Sequence, residues 1–157
     1  MQGIDKYLRL YKAIGYTFNN EALLEQALTH RSAAKQHNER LEFLGDAILG
    51  MIIGETLFKR FPTVPEGKLT RMRSTLVKGD TLAELAKEAS VGELLNLGPG
   101  ELKSGGHRRS SILADAVEAI LGAIYLDSGM DEVRGVIDRL WESRINQLDP
   151  NAHPKDS

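Results

Sequence analysis

The stretch ERLEFLGDAILGMIIGETLFKRF, residues 39–61, decides the fold. Its apolar residues recur at helical rather than alternating spacing, and Pro62 and Pro65 close it. It is apolar almost all round. With Glu42 at zero on a helical wheel, Glu39 falls at about +60° and Asp46 at about +40°. Leu49, at about −20°, and Ile53, at about +20°, lie inside the same sector. Leu41, Leu44, Ile48 and Met51 fill the opposite side. A solvated face would stay polar along its length, so these carboxylates are expected to be buried or to floor a cleft.

Outward from this helix the chain reads as further helices. Ile4 to Ile14 has Leu8 and Tyr11 spaced for one face, and Asn20 is a candidate N-cap for a helix carrying Leu23, Leu24, Ala27 and Leu28. A polar stretch, 30–38, leads into the central run. Beyond it, a helix starts at Pro65-Glu66 and carries Leu69, Met72 and Leu76, then, past Gly79-Asp80, Leu82, Leu85 and Ala86. A short helix is expected over Leu94–Leu97, closed by Gly98-Pro99-Gly100. A Gly-rich basic loop, 101–110, precedes a long helix over 111–126. The last helix, from Met130 to about Leu148, puts Val133, Val136, Ile137, Leu140, Trp141 and Ile145 on its apolar side. No strand-like alternation or internal repeat appears. The expected fold is all-α, one domain over 1–148, with DPNAHPKDS, 149–157, as a polar linker or tail.

Composition bounds the function. The 157 residues are 41% hydrophobic and 27% charged, which argues against a disordered chain. The absence of cysteine excludes disulfide scaffolds and thiolate metal sites. With a net charge of −2 the protein is no basic nucleic-acid coat, so binding to an acidic polymer needs its positive charge concentrated on one surface. No apolar stretch approaches the ~20 residues of a spanning helix and no export signal is evident, so the expected location is cytoplasmic. Serine-hydrolase, zincin and Walker A signatures are missing.

The chemistry lies in carboxylates set on greasy helices. Asp115 and Glu118, i and i+3, share a face among Ile112, Leu113, Ala114, Ala116, Val117, Ala119, Ile120 and Leu121. No Lys or Arg occurs between Ser110 and Asp131. If Glu42, Asp46, Asp115 and Glu118 converge, each ionised pair at ~5 Å repels by about 3 kcal/mol at an effective dielectric of ~20. Such a group must share protons or bind hard cations. All-carboxylate oxygen ligands suit Mg²⁺ or Mn²⁺, and two such ions ~4 Å apart serve displacement at phosphorus.

Basic residues form two groups: Lys68, Arg71, Arg73 and Lys78 in one helical region, and Lys103, His107, Arg108 and Arg109 in or beside the Gly-rich loop. A flexible basic loop just ahead of Asp115 suits a phosphate backbone passing the acids. Aromatics do not interleave with these groups. That disfavours base stacking and favours backbone and shape recognition of a duplex.

The run HNERLEFLGD, 37–46, resembles the signature of the ribonuclease III family. LTHRS at 28–32, Phe61-Pro62, PEG at 65–67, RMR at 71–73 and ILADAVEA at 112–119 extend the resemblance over essentially the whole chain. It implies a helical endonuclease domain acting as a homodimer on double-stranded RNA, with Mg²⁺ as cofactor and Mn²⁺ able to substitute. Glu42, Asp46, Asp115 and Glu118 match the family's metal-binding acids, Asp46 and Glu118 being taken as catalytic. Glu39 and Glu66 match two further acids, and Phe43 an aromatic at the family's dimer interface. The implied two-metal hydrolysis gives 5′-phosphate and 3′-hydroxyl ends with short 3′ overhangs, in the processing of ribosomal and other RNA. Lys68, Arg71, Arg73, Lys103, His107, Arg108 and Arg109 are the expected RNA contacts. The competing readings are a non-catalytic RNA-binding or ribosome-associated relative, and a nucleotide phosphohydrolase on a helical scaffold.

Overall fold

The computed structural model describes residues 2–148; the expected tail, 149–157, lies outside them. Eight α-helices occur among the described residues: α1 (Gln2–Ile14), α2 (Glu21–Ala27), α3 (Glu39–Arg60), α4 (Glu66–Val77), α5 (Gly79–Glu88), α6 (Pro99–Lys103), α7 (Ser110–Ser128) and α8 (Met130–Asn146). Strands are absent there, and the one extended pairing is a parallel bridge between Thr29 and Asn96. The all-α expectation is met.

α7 is the axis of the core. Ile112 to Ile124 is buried except at Asp115 and Glu118, because α2, α3, α5 and α8 all pack against it. α3 comes closest, and two glycines set the distance. A β-carbon on Gly45 would sit 1.7 Å from the Glu118 carbonyl oxygen, and one on Gly122 would sit 2.5 Å from the Leu41 carbonyl oxygen. Any side chain at either place would prise the helices apart.

The α4–α5 junction shows how a helix break is satisfied. Lys78 is extended (φ −67°, ψ 159°), so carbonyls at the end of α4 lose their helical partners. The buried Trp141 indole N–H donates to Leu76 O at 2.8 Å, and Thr81 Oγ1 donates to Thr75 O at 2.9 Å. Similarly, Arg139 donates to Ile14 O and Gly15 O at the end of α1. Asn20 caps α2 as expected, its side chain accepting from Ala22 N at 3.1 Å.

Several sequence expectations need correction. The inward face of α1 is Tyr7, Leu10, Tyr11 and Ile14; Leu8 is exposed, since it lies off that 3–4 spacing. The short helix expected over 94–97 is instead a 3₁₀ turn at Val91–Leu94. Gly98-Pro99-Gly100 opens α6 rather than closing a helix, because proline fits the first turn. The basic loop is not free: α6 and a second 3₁₀ turn, Gly106–Arg108, fill it, and Arg109 ties it down by pairing with Glu101. Met51 does not join Leu41 and Ile48 in the core; it is 50% exposed, and on the same helix Phe43 is 79% and Phe58 71% exposed. α3 is apolar all round because one face packs on α7 while another, built on these three residues, is open in the single chain.

We expect Gly45→Ala or Gly122→Ala to destabilise the domain by about 3 kcal/mol, lowering the melting temperature by roughly 6–12 °C. Gly100→Ala, where a β-carbon meets nothing within 4 Å, should leave it nearly unchanged in the same thermal melt.

Candidate active site

The α3–α7 crossing brings acids from both helices together. Glu42, on the first turn of α3, and Asp115 and Glu118, on α7, each offer a carboxylate oxygen within 4.8 Å of the other two. Asp46 stands one turn further along α3, exposed, and is hydrogen-bonded to Glu118; Glu42 is likewise hydrogen-bonded to Asp115. Two carboxyl–carboxyl pairs thus span the crossing. A carboxyl group can hydrogen-bond a carboxylate only if it holds a proton.

Burial pushes the Glu42 carboxyl up to about 8, helped by its hydrogen bond to Asp115 and the charges of Asp115, Glu39 and Asp46. Burial, then the hydrogen bond and charge of Asp46, then Glu42 and Asp115, push Glu118 up to about 8. None of the four acids forms an ion pair among the described residues. The expectation of buried acids holds in part: Glu42, Asp115 and Glu118 are half-buried, whereas Asp46 and Glu39 are exposed because they lie at the edge of the helix contact. Glu39 pairs with Arg31 at 3.5 Å.

This donor set fits a hard divalent cation. It is all oxygen, anionic, drawn from two rigid helices, and short of positive charge. Protons on Glu42 and Glu118 do for the isolated cluster what a cation would do better.

The remaining candidates are scattered. Glu66, at the start of α4, is apart from the acid cluster and lines a cavity of about 210 Å³ with Gly54, Leu57, Phe58, Leu69, Thr70 and Arg73. Arg71 and Arg73 are exposed on α4 and Lys68 is half-buried there. Lys103 and Arg108 are exposed near α6, while Arg109 is committed to Glu101 and to the Ser104 carbonyl. His107 is half-buried, and its Nδ1 is fully buried without a hydrogen-bond partner. Lys78 is exposed at the α4–α5 break.

Sequence reading missed the polar clasp beside the acids. Ser32 Oγ accepts from Gly98 N at 2.9 Å, His30 N donates to Asn96 O at 3.0 Å, and Asn96 N donates to Leu28 O at 2.9 Å. The buried Asn38 side chain donates to Ala27 O at 3.0 Å. These bonds fasten the segment before α3 to the segment before α6. Its only signal in the sequence is a set of short polar residues in apolar surroundings, which carries no partner information.

A helical domain built around a crossed-helix acid cluster has the makings of a divalent-cation site, and comparison with known proteins specifies the class. Residues 20–143 match the family model described as ribonuclease-III-like. The chain is 57% identical over its full length to Ribonuclease 3 of Shewanella amazonensis, and 58% identical over 94% of its length to that of Photorhabdus laumondii. It spans 70% and 66% of the lengths of those relatives. The nuclease domain of ribonuclease III from Campylobacter jejuni superposes with a TM-score of 0.86 at 40% identity, covering 95% of this chain and 100% of that one. Another structure of that domain, described for flexibility in a region involved in dimer formation, gives 0.85 at 39% identity over 89% and 99% of the two chains. Dicer from Pichia stipitis gives 0.69 at 28% identity, over 87% of this chain and 61% of that one. The chain belongs to the ribonuclease III family, as a nuclease domain. No helix among the described residues is long and apolar enough to cross a membrane.

The acid cluster makes stability depend on pH and metal. Glu42 and Glu118 have folded-state values raised from 4.5 to about 8. Protonation therefore stabilises the fold fully below about 4.5, and that contribution is lost as pH rises toward about 8. Thermal melts with chelator should show the domain less stable near pH 8 than near pH 5. Adding Mg²⁺ or Mn²⁺ near pH 8 should restore stability in the parent and much less in Glu118→Gln.

Proposed function

We propose that this domain is a divalent-metal-dependent endoribonuclease that hydrolyses phosphodiesters in double-stranded RNA. The observation that carries the reading is the convergence of Glu42, Asp115 and Glu118, with Asp46 beside them, at one crossing that supplies no positive charge of its own. Membership of the family says which phosphodiester chemistry such a cluster serves.

In this reading Glu42, Asp46, Asp115 and Glu118 hold two Mg²⁺ ions, for which Mn²⁺ can substitute. When bound, the ions supply an activated water and charge stabilisation at the leaving oxygen. The protein contributes the rest. Carboxylates fixed on two helices locked by Gly45 and Gly122 keep their positions as the substrate arrives. Asp46, exposed at the rim and hydrogen-bonded to Glu118, is placed to accept a proton or orient water at the reacting phosphate. Glu39 acts at the edge of the site, whereas Glu66 faces the separate cavity between α3 and α4. Lys68, Arg71 and Arg73 on α4, and Lys103, His107 and Arg108 around α6, are read as RNA backbone contacts, whereas Arg109 is spent on Glu101 and holds that segment in place. The products are 5′-phosphate and 3′-hydroxyl ends.

The exposed face of α3 supplies the second half of the enzyme. Phe43, Met51 and Phe58 are too open for residues facing water alone, and two copies of this chain joined there would bury all three. Phe43 follows Glu42 directly, so the interface and the acids are fixed by one helix. A symmetric homodimer presents two sites and cuts both strands, leaving short 3′ overhangs. In this reading its role is the processing of ribosomal and other RNA in the cytoplasm.

Glu118→Gln should lower cleavage of a labelled RNA duplex by more than about a hundredfold while binding persists; turnover near the parent rate would overturn the site. A parent that binds duplex but never cuts it with Mg²⁺ would instead indicate the non-catalytic role. Phe43→Ala should weaken self-association by roughly tenfold or more. Sedimentation at low concentration reads this directly, and an unchanged mass would remove Phe43 from the interface.

A further inference from the structure

His30 lies on the clasp between α2 and α3, and its ring is already engaged on one side. The Ser32 backbone N–H donates to Nδ1 at 3.1 Å, and Ser32 Oγ lies 2.8 Å from the same atom. A nitrogen that accepts from an N–H has its lone pair free, so the proton of the neutral ring is on Nε2. Nε2 has no hydrogen-bond partner among the described residues and is not buried. Ser32 is held in turn by Gly98, whose N–H donates to Ser32 Oγ; a β-carbon on Gly98 would lie 2.2 Å from Ser32 O. The imidazole is therefore braced from both the α3 side and the α6 side of the site.

The charges around it are Asp115 and Glu39 on one hand, Arg31 and His37 on the other. Burial, then the charge of Arg31, hold the ring below its ordinary value despite Asp115 and Glu39, so His30 is a neutral donor beside the acid cluster. Neutrality matters there. A lysine or arginine in its place would pair with the carboxylates and repel divalent cations, whereas an uncharged N–H does neither. Phosphates along the path have the exposed cations of α4 and α6 to meet. An uncharged donor matches an uncharged acceptor, and the ribose 2′-hydroxyl is the one such group that separates RNA from DNA.

We propose that His30 is a specificity-determining residue whose Nε2–H donates to the 2′-hydroxyl of a nucleotide flanking the scissile phosphodiester. The proposal rests on the ribonuclease reading above and adds the contact by which the site demands ribose.

The test pairs substrate with protein. RNA duplexes carrying single 2′-deoxy substitutions around the cut are cleaved by the parent, His30→Asn and His30→Gln, with kcat/KM measured for each. Asn offers Ser32 an acceptor but withdraws the outward donor; Gln reaches the Nε2 position and keeps it. The parent should lose about tenfold at one flanking position, the size expected for one lost hydrogen bond. His30→Asn should cleave the all-ribose duplex about tenfold more slowly and be indifferent to that same substitution. His30→Gln should regain discrimination. A melting temperature matching the parent's shows that the fold is intact; if Asn lowers it, His30→Phe, which also lacks the donor, takes its place. Equal slowing of parent and donor-less variant at every deoxy position would overturn the proposal while leaving the ribonuclease intact. A parent that cuts no RNA would overturn the underlying reading and this inference with it.

Discussion

The close approach of α3 and α7 at Gly45 and Gly122 is the constraint on which the rest depends. The two backbones meet where no β-carbon fits. Glu42 and Asp46 are the third residue before and the first after Gly45; Glu118 is one turn before Gly122. The contact that packs the core is therefore the contact that assembles the acids. Van der Waals packing holds the helices together against the repulsion among carboxylates at their edge.

That arrangement explains the unusual state of the cluster. Hydrophobic burial of α7 on nearly every side fixes Asp115 and Glu118 in place, and the free energy of the surrounding core exceeds the electrostatic penalty at one rim. The penalty is met by protons on Glu42 and Glu118 when nothing else is present. A site built this way suits a dication, whose charge would offset the repulsion among the carboxylates. Positive side chains that could have relieved it sit further off, on α4 and around α6, or are spent elsewhere, as Arg109 is on Glu101.

α3 carries a second duty on another face. Its exposed Phe43, Met51 and Phe58 form the open side on which the proposed dimer rests. The clasp of Thr29, His30, Ser32, Asn38, Asn96 and Gly98 does the finer work of holding the entry to α3 and the entry to α6 in register. The clasp thereby ties the segment entering α3, next to the acids, to the segment entering α6.

The sequence by itself determined the helices, the acids and the family. Helical periodicity and punctuation by Asn20, Pro62 and Pro65 are local properties, set by residues a few positions apart, and so are legible without a fold. The HNERLEFLGD run and the Asp115/Glu118 pair were legible for the same reason. What only tertiary structure decided is which side of α3 faces α7, which stays open, and which acid joins which. A wheel for a helix apolar all round cannot rank its faces: Met51 shares a side with Leu41 and Ile48, yet it is open while they are buried. Likewise, the partners of Ser32, Asn96 and Arg109 come from segments distant in sequence or across a turn, and a hydrogen bond between such groups leaves no periodic trace. Pairing of that kind is fixed by the packing of apolar helices, and it exists only once the chain has closed around α7.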